Sequence, residues 1–187
     1  MKRKSLLITI VACMLVAAVS IGGTLAWMTA DDQVKNSFTI GYVNIEVQEE
    51  GWTDGESKAI APNGTVDKEP YVANTGANPC LIRAKYSISD SALASHLEIQ
   101  GLPGEGWVDG GDGWYYYLTV VGAGGKTATP LFTDVKLLDT YTELNESVSF
   151  DIPVTAQAIQ SENMANISAT GANSLADVKA AFANYNA

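Results

Sequence analysis

The sequence is poor in histidine, cysteine and positive charge. Its 187 residues hold one histidine, His96, two cysteines, and 11 Lys+Arg against 21 Asp+Glu, for a formal charge of −10. A single imidazole excludes zinc sites built on two or three histidines, and the zinc-protease pattern of two histidines one helical turn apart is absent. Cys13 lies in an apolar leader, so after processing Cys80 has no partner for an intramolecular disulfide. The acidic excess repels phosphate backbones and argues against nucleic acid as a partner. A chain of this length fits one domain that buries about two thirds of its unfolded surface.

All three charges of the first 26 residues are basic: Lys2, Arg3 and Lys4. From there to Asp31 no charge occurs, and Leu6 to Ile21 is apolar except for Thr9 and Ser20. Basic residues, an apolar run and then Gly22-Gly23-Thr24-Leu25-Ala26 have the order of a secretory signal, with cleavage expected between Ala26 and Trp27. The uncharged stretch is also long enough for an uncleaved membrane anchor. The glycine pair interrupts a helix where a signal helix should end, which favours cleavage. On either reading the body of the chain lies outside the cytoplasm, secreted or at the cell surface, and touches the membrane only through an uncleaved leader. Removing the leader makes the remainder three charges more acidic.

Beyond Asp31 the dominant hydrophobic period is two, with Val, Ile, Thr and Tyr separated by Gly, Asn, Asp and Pro. This pattern predicts an all-β domain over 38–187, an antiparallel sandwich or barrel. Phe38 and Ile40 share one parity and Val43, Ile45 and Val47 the other, which predicts a bulge around Gly41. Further strands are expected over Val66–Ala73, Cys80–Ile88, Trp114–Val121, Leu131–Leu138 and Ser147–Gln160. In the second of these, Cys80, Ile82, Ala84, Tyr86 and Ile88 face inward and Arg83, Lys85 and Ser87 face water. The length of the last suggests a central strand, although Pro153 argues for an edge or a bulge. A short helix capped by Ser89 is expected over Asp90–Ser95, and Gly101–Gly113, with six glycines and Pro103, reads as a long surface loop. Leu175, Val178, Phe182 and Tyr185 recur at helical spacing behind Ser174, with Asp177 three residues on, which predicts a capped amphipathic helix packed on the sheets.

No catalytic constellation emerges. His96 reads as a surface histidine and Cys80 as a packed thiol, and no enzymatic activity, cofactor or metal centre is expected. Asp109 and Asp112 flank Gly110-Gly111 on the glycine-rich segment, yet lack the spacing and distal glutamate of an EF-hand loop. Trp114-Tyr115-Tyr116-Tyr117 places rings on both faces of a strand. With Asp109 and Asp112, the rings of Trp114, Tyr115 and Tyr117 form a candidate surface for a sugar or a partner protein, against the alternative of ordinary core and cross-strand packing. Asn63-Gly64-Thr65, Asn145-Glu146-Ser147 and Asn166-Ile167-Ser168 match the glycosylation acceptor triplet, which is informative only in a eukaryotic secretory pathway.

Gly23-Thr24-Leu25-Ala26 followed by Asn36-Ser37-Phe38-Thr39-Ile40-Gly41-Tyr42-Val43-Asn44-Ile45 resembles the start of TasA/camelysin-type proteins of Gram-positive bacteria, which a SipW-type signal peptidase processes. Asn74-Thr75-Gly76, Trp114-Tyr115-Tyr116-Tyr117, Thr129-Pro130-Leu131-Phe132 and Ala156-Gln157-Ala158-Ile159-Gln160 extend the resemblance over most of the chain. The resemblance implies a jelly-roll-like β-sandwich with a C-terminal helix behind an N-terminal signal helix, exported into surface or biofilm-matrix fibres. It also implies that the segment 27–37, beginning Trp27-Met28-Thr29-Ala30-Asp31-Asp32, is an extended strand donated head-to-tail to the next copy. Partners would then be the chain itself and the signal peptidase. Some relatives are described as metalloproteases, an activity for which this chain has no zinc motif. A cell-surface binding module, or a camelysin-like metal-dependent peptidase, with its site around Asp109 to Tyr117, is the alternative.

Overall fold

The computed structural model describes residues 41–52, 56–142 and 149–185. Among them the chain runs through β1 (Ile45–Glu50), β2 (Thr65–Asp67), β3 (Glu69–Asn74), β4 (Cys80–Tyr86), a 3-10 turn (Ala94–His96), β5 (Leu97–Gln100), β6 (Trp107–Asp109), β7 (Tyr115–Val121), β8 (Asp134–Leu137), β9 (Val154–Gln160) and α1 (Leu175–Tyr185). The strands form three antiparallel sheets, β1-β3, β2-β8-β5 and β6-β7-β4-β9. No helix among the described residues is long and apolar enough to cross a membrane, and the leader lies outside them.

One apolar core draws on all three sheets. Val72 of β3, Ile82 and Ala84 of β4, Leu97 of β5, Tyr117 of β7 and Val135 of β8 meet in it, with Leu131 and Phe132 entering just ahead of β8. A second, smaller cluster lies on the opposite face of the four-stranded sheet, where Leu81, Tyr116 and Ile159 receive Val178 and Phe182 of α1. The helix starts as its sequence dictates. The Ser174 hydroxyl accepts from the Asp177 N–H at 3.1 Å and donates to the Asp177 carboxylate, capping the first turn. Burying Phe182 in this way is worth about 3–5 kcal/mol relative to alanine.

Several expectations are corrected by tertiary context. The strand expected over Val66–Ala73 is two strands in two sheets, with the break at Lys68. There the Lys68 N–H donates to Thr133 O at 2.9 Å while its ammonium pairs with Glu49 at 2.5 Å. Of the β4 face expected to meet water, Lys85 and Ser87 are exposed, whereas Arg83 is half-buried beneath α1 and Leu81, of the same parity, is fully buried. Over Asp90–Ser95 the chain turns and forms only the 3-10 element Ala94–His96, which has no side-chain cap; Asp90 Oδ1 accepts from Ala92 N–H at 2.8 Å in the turn before it, while Ser89 Oγ accepts from Asp151 N–H at 2.7 Å. The long loop over Gly101–Gly113 contains β6, which hairpins onto β7 with Trp107 opposite Tyr117. The last strand begins only after Pro153 and lies at a sheet edge, paired with β4 alone. Phe38 and Ile40 lie outside the described residues, and the pairing with β3 starts at Ile45.

Asn74, 1% exposed, holds these sheets in register. Its Nδ2 donates to Asn78 O at 2.9 Å, Val121 O at 3.1 Å and Gly122 O at 3.2 Å, and its Oδ1 accepts from Gly76 N–H at 3.0 Å. The end of β3, the approach to β4 and the end of β7 thereby meet at one side chain. Gly76 is required beside it, because a Cβ there would lie 2.5 Å from Tyr42 O and 2.6 Å from Asn44 N. Replacing Asn74 with alanine strands buried carbonyls, and aspartate cannot donate to them. Both variants should lose about 2–4 kcal/mol in urea unfolding; a loss below about 1 kcal/mol would show that water replaces the amide without penalty.

Candidate functional site on the outer face of the four-stranded sheet

The run Trp114 to Tyr117 alternates across β7. Tyr115 and Tyr117 join the main core, whereas Trp114 and Tyr116 join the cluster under α1. Tyr117 is 6% exposed, packs on Trp107 with ring centroids 5.1 Å apart, and accepts Ala128 N–H on its hydroxyl at 2.9 Å. It is a structural ring and offers no surface to a ligand. Tyr115 is half-buried against Tyr86, centroids 6.4 Å apart, and its hydroxyl titrates above its ordinary range, first because of burial and then because of Tyr86 and Asp109. Trp114 remains half-exposed, with the Arg83 guanidinium 4.5 Å and the Lys85 ammonium 4.7 Å from its ring centre.

Around Trp114 a connected polar group spans strand, hairpin and helix. Arg83 donates from Nε and Nη2 to Gln157 Oε1 at 2.9 and 2.6 Å, and from Nη1 to the Tyr116 hydroxyl at 3.3 Å. Tyr116 in turn donates to Asp112 Oδ2 at 2.9 Å, and Lys179 of α1 pairs with the same carboxylate at 3.2 Å and donates to Gly110 O. Partial burial of Asp112 acts to raise its pKa. The hydrogen bonds from Tyr116, Lys179 and the Trp114 N–H outweigh that effect and hold the carboxyl below its ordinary 3.8. The two loop acids are committed to their own turn, since Asp109 Oδ1 accepts from Gly111 N–H at 2.8 Å and Asp112 Oδ1 from Trp114 N–H at 3.2 Å. Among the described residues no three His, Cys, Asp or Glu side chains converge as metal ligands.

The sequence pattern places Arg83 on a water-facing strand side and gives Gln157 and Lys179 no site role. Only Lys179 carried a usable signal, following Val178 on the helix face that the apolar spacing turns toward the sheet. His96 is partly buried beside Tyr141, with Nδ1 2.9 Å from the Thr140 hydroxyl and no acid joined to it among the described residues. Cys80 is fully buried, as the strand alternation required, and burial pushes its thiol from 9.0 up to about 12. Ala26, Trp27, Met28, Thr29, Ala30, Asp31 and Asp32 lie outside the described residues. Compared with known proteins, the chain matches no family model and no curated protein.

Two outcomes follow from these positions. The buried Cys80 should label slowly with thiol reagents near neutral pH. Because its folded pKa is raised, its contribution to stability should be intact below about 9 and lost as pH rises toward about 12; fast labelling of the native protein would contradict its burial. Asp112→Asn should lower thermal stability by no more than about 1 kcal/mol, since the Lys179 pair is partly exposed. The carboxylate's folded pKa is depressed, so the difference from wild type should be present above pH 3.8 and vanish in melts recorded as pH falls below it. A difference that persisted unchanged into acid would place the effect elsewhere.

Proposed function

We propose that this chain is an exported, non-enzymatic subunit of extracellular surface or biofilm-matrix fibres of the TasA/camelysin kind. On this reading the three antiparallel sheets pack as a jelly-roll-like sandwich, a SipW-type peptidase removes the leader after Ala26, and residues 27–37 of one copy add as a strand to the next. The observation that carries the reading is the combination of that leader with sheets that end in open strands. Apart from β3, whose second side is occupied by residues 124–133, strands at the sheet ends leave backbone donors and acceptors that an extended segment from another chain would satisfy. Donation at one place and acceptance at another makes a head-to-tail contact that need not close, so filaments result. Trp27 and Met28 would anchor the donated strand. The surface at Trp114, Arg83 and Lys85 favours a second reading, a cell-surface binding module, in which the half-exposed indole stacks on a ligand.

Secreted protein should begin Trp-Met-Thr-Ala-Asp by N-terminal sequencing, and retention of Met1 on a membrane-bound product would replace secretion by anchoring. Electron microscopy of the mature protein should show filaments, whereas a form lacking residues 27–37 should remain folded and monomeric. Filaments from the truncated form would exclude this segment as donor. Neither form should cleave casein above a mock preparation, and chelator-sensitive cleavage abolished by His96→Ala would make the chain a peptidase.

A further inference from the structure

We infer that the outer face of the four-stranded sheet at Trp114, Lys85, Arg83 and Gln157 binds an acidic saccharide, a sugar ring that carries a carboxylate. The inference rests on the binding-module reading of this face and adds to it the class of ligand.

The face holds positive charge that the protein leaves without a counter-charge. Lys68, Lys126 and Lys179 are paired with Glu49, Glu50 and Asp112. Arg83 and Lys85 stand on the same face of β4 and have no carboxylate partner among the described residues, in a chain with 21 Asp+Glu. Neighbouring strands supply none. On β9 the residues opposite them are Gln157 and Thr155, and on β1, which touches β9, Glu46, Glu49 and Glu50 are bonded to Gln48, Lys68 and Lys126. Asp112 is held by Lys179 and reaches Arg83 only through the Tyr116 hydroxyl. Both cations lie within 4.7 Å of the centre of the Trp114 ring, so one anion bound beside that ring meets both and offsets their repulsion.

The hydrogen-bonding groups point to the same chemistry. Arg83 bonds through Nε, Nη1 and Nη2 to two neutral groups, Gln157 Oε1 and the Tyr116 hydroxyl, and keeps further N–H donors to spare. Because Gln157 turns its oxygen to Arg83, its Nε2 group is left without a protein partner among the described residues, as are the Trp114 indole N–H and the exposed Lys85 ammonium. Donors thus outnumber acceptors on this face, which suits a ligand rich in oxygen acceptors, the carboxylate first and sugar hydroxyls beside it. The half-exposed indole adds a flat apolar surface for the C–H side of the ring.

Two other occupants fit less well. The one large apolar side chain that is widely exposed among the described residues is Tyr42, on the approach to β1, so the face lacks the apolar centre around which protein interfaces are built. A chain of net charge −10 repels polymers of dense phosphate charge, whereas a single carboxylate on a ring is answered locally by Lys85 and Arg83.

Calorimetric titration of the purified protein with oligogalacturonate, and with the same oligosaccharide methyl-esterified, tests the inference. The acid should bind, and esterification should weaken it by about tenfold or more through loss of the charge-assisted bonds. Lys85→Gln, at an exposed position, should lower affinity for the acid and leave that for the ester unchanged. A variant that bound the acid as tightly as wild type would overturn the inference. Oligoglutamate bound as tightly as oligogalacturonate would also overturn it, by making an acidic protein segment the ligand. Equal affinity for acid and ester would overturn it while leaving the binding-module reading in place. If neither form binds at about 10 mM, and the matching glucuronate pair does not either, the inference and the binding-module reading both fail.

Discussion

The arrangement of strands depends on a single buried amide. A fold made of three short sheets has few long ladders to hold it together, and its sheets must be joined where their strands end. Asn74 does this with one planar group. It gives two N–H donors to three carbonyls at the approach to β4 and the end of β7, and takes one N–H from the turn that follows β3. Its backbone adds bonds to Gly124 and Gly125. A buried polar side chain is costly when any of its partners is missing, so the clasp enforces one relative placement of β3, β4 and β7 and penalises others.

The scarcity of cations gives those present an outsized place in the structure. Of the seven Lys and Arg side chains among the described residues, six sit over aromatic rings: Lys58 and Lys68 at Trp52, Arg83 and Lys85 at Trp114, Lys126 at Tyr71 and Lys179 at Tyr116. The seventh, Lys136, stands opposite Glu98 in the β5–β8 ladder. Each cation–ring contact contributes about 0.5–1 kcal/mol where exposed. Grouping Arg83, Lys85 and Lys179 on one side of the four-stranded sheet produces a local basic face on an acidic protein. Two of the three, Lys85 and Arg83, stand opposite Thr155 and Gln157 of β9.

The hairpin of β6 and β7 shows how the same residues serve structure first. Its glycine turn brings Asp109 and Asp112 back onto their own backbone, and Asp112 then ties the turn to Tyr116 and, through Lys179, to α1. A cation site would have to displace these bonds. What the outer face keeps available is the indole of Trp114, framed by two cations.

Period-two alternation placed Cys80, Ile82 and Ala84 in the core and showed most of the strands, because side-chain direction along a strand is a local property of the backbone. The capped helix behind Ser174 was legible for the same reason, its hydroxyl and the Asp177 N–H being three residues apart. Local pattern could not show that Lys68 divides one apparent strand between two sheets, that a three-residue strand lies within the glycine-rich stretch, or that the Leu81–Arg83 face is covered. Each of these depends on a partner distant in the chain: Thr133 for Lys68, Tyr117 for Trp107, and Phe182 for Arg83. The sequence by itself determined the acidity, the basic and then apolar order of the first 26 residues, the β periodicity and the presence of a single histidine. Only the tertiary structure decided which strands became edges and where the few cations gathered, since an edge is defined by the absence of a neighbour and a basic face by residues from separate elements.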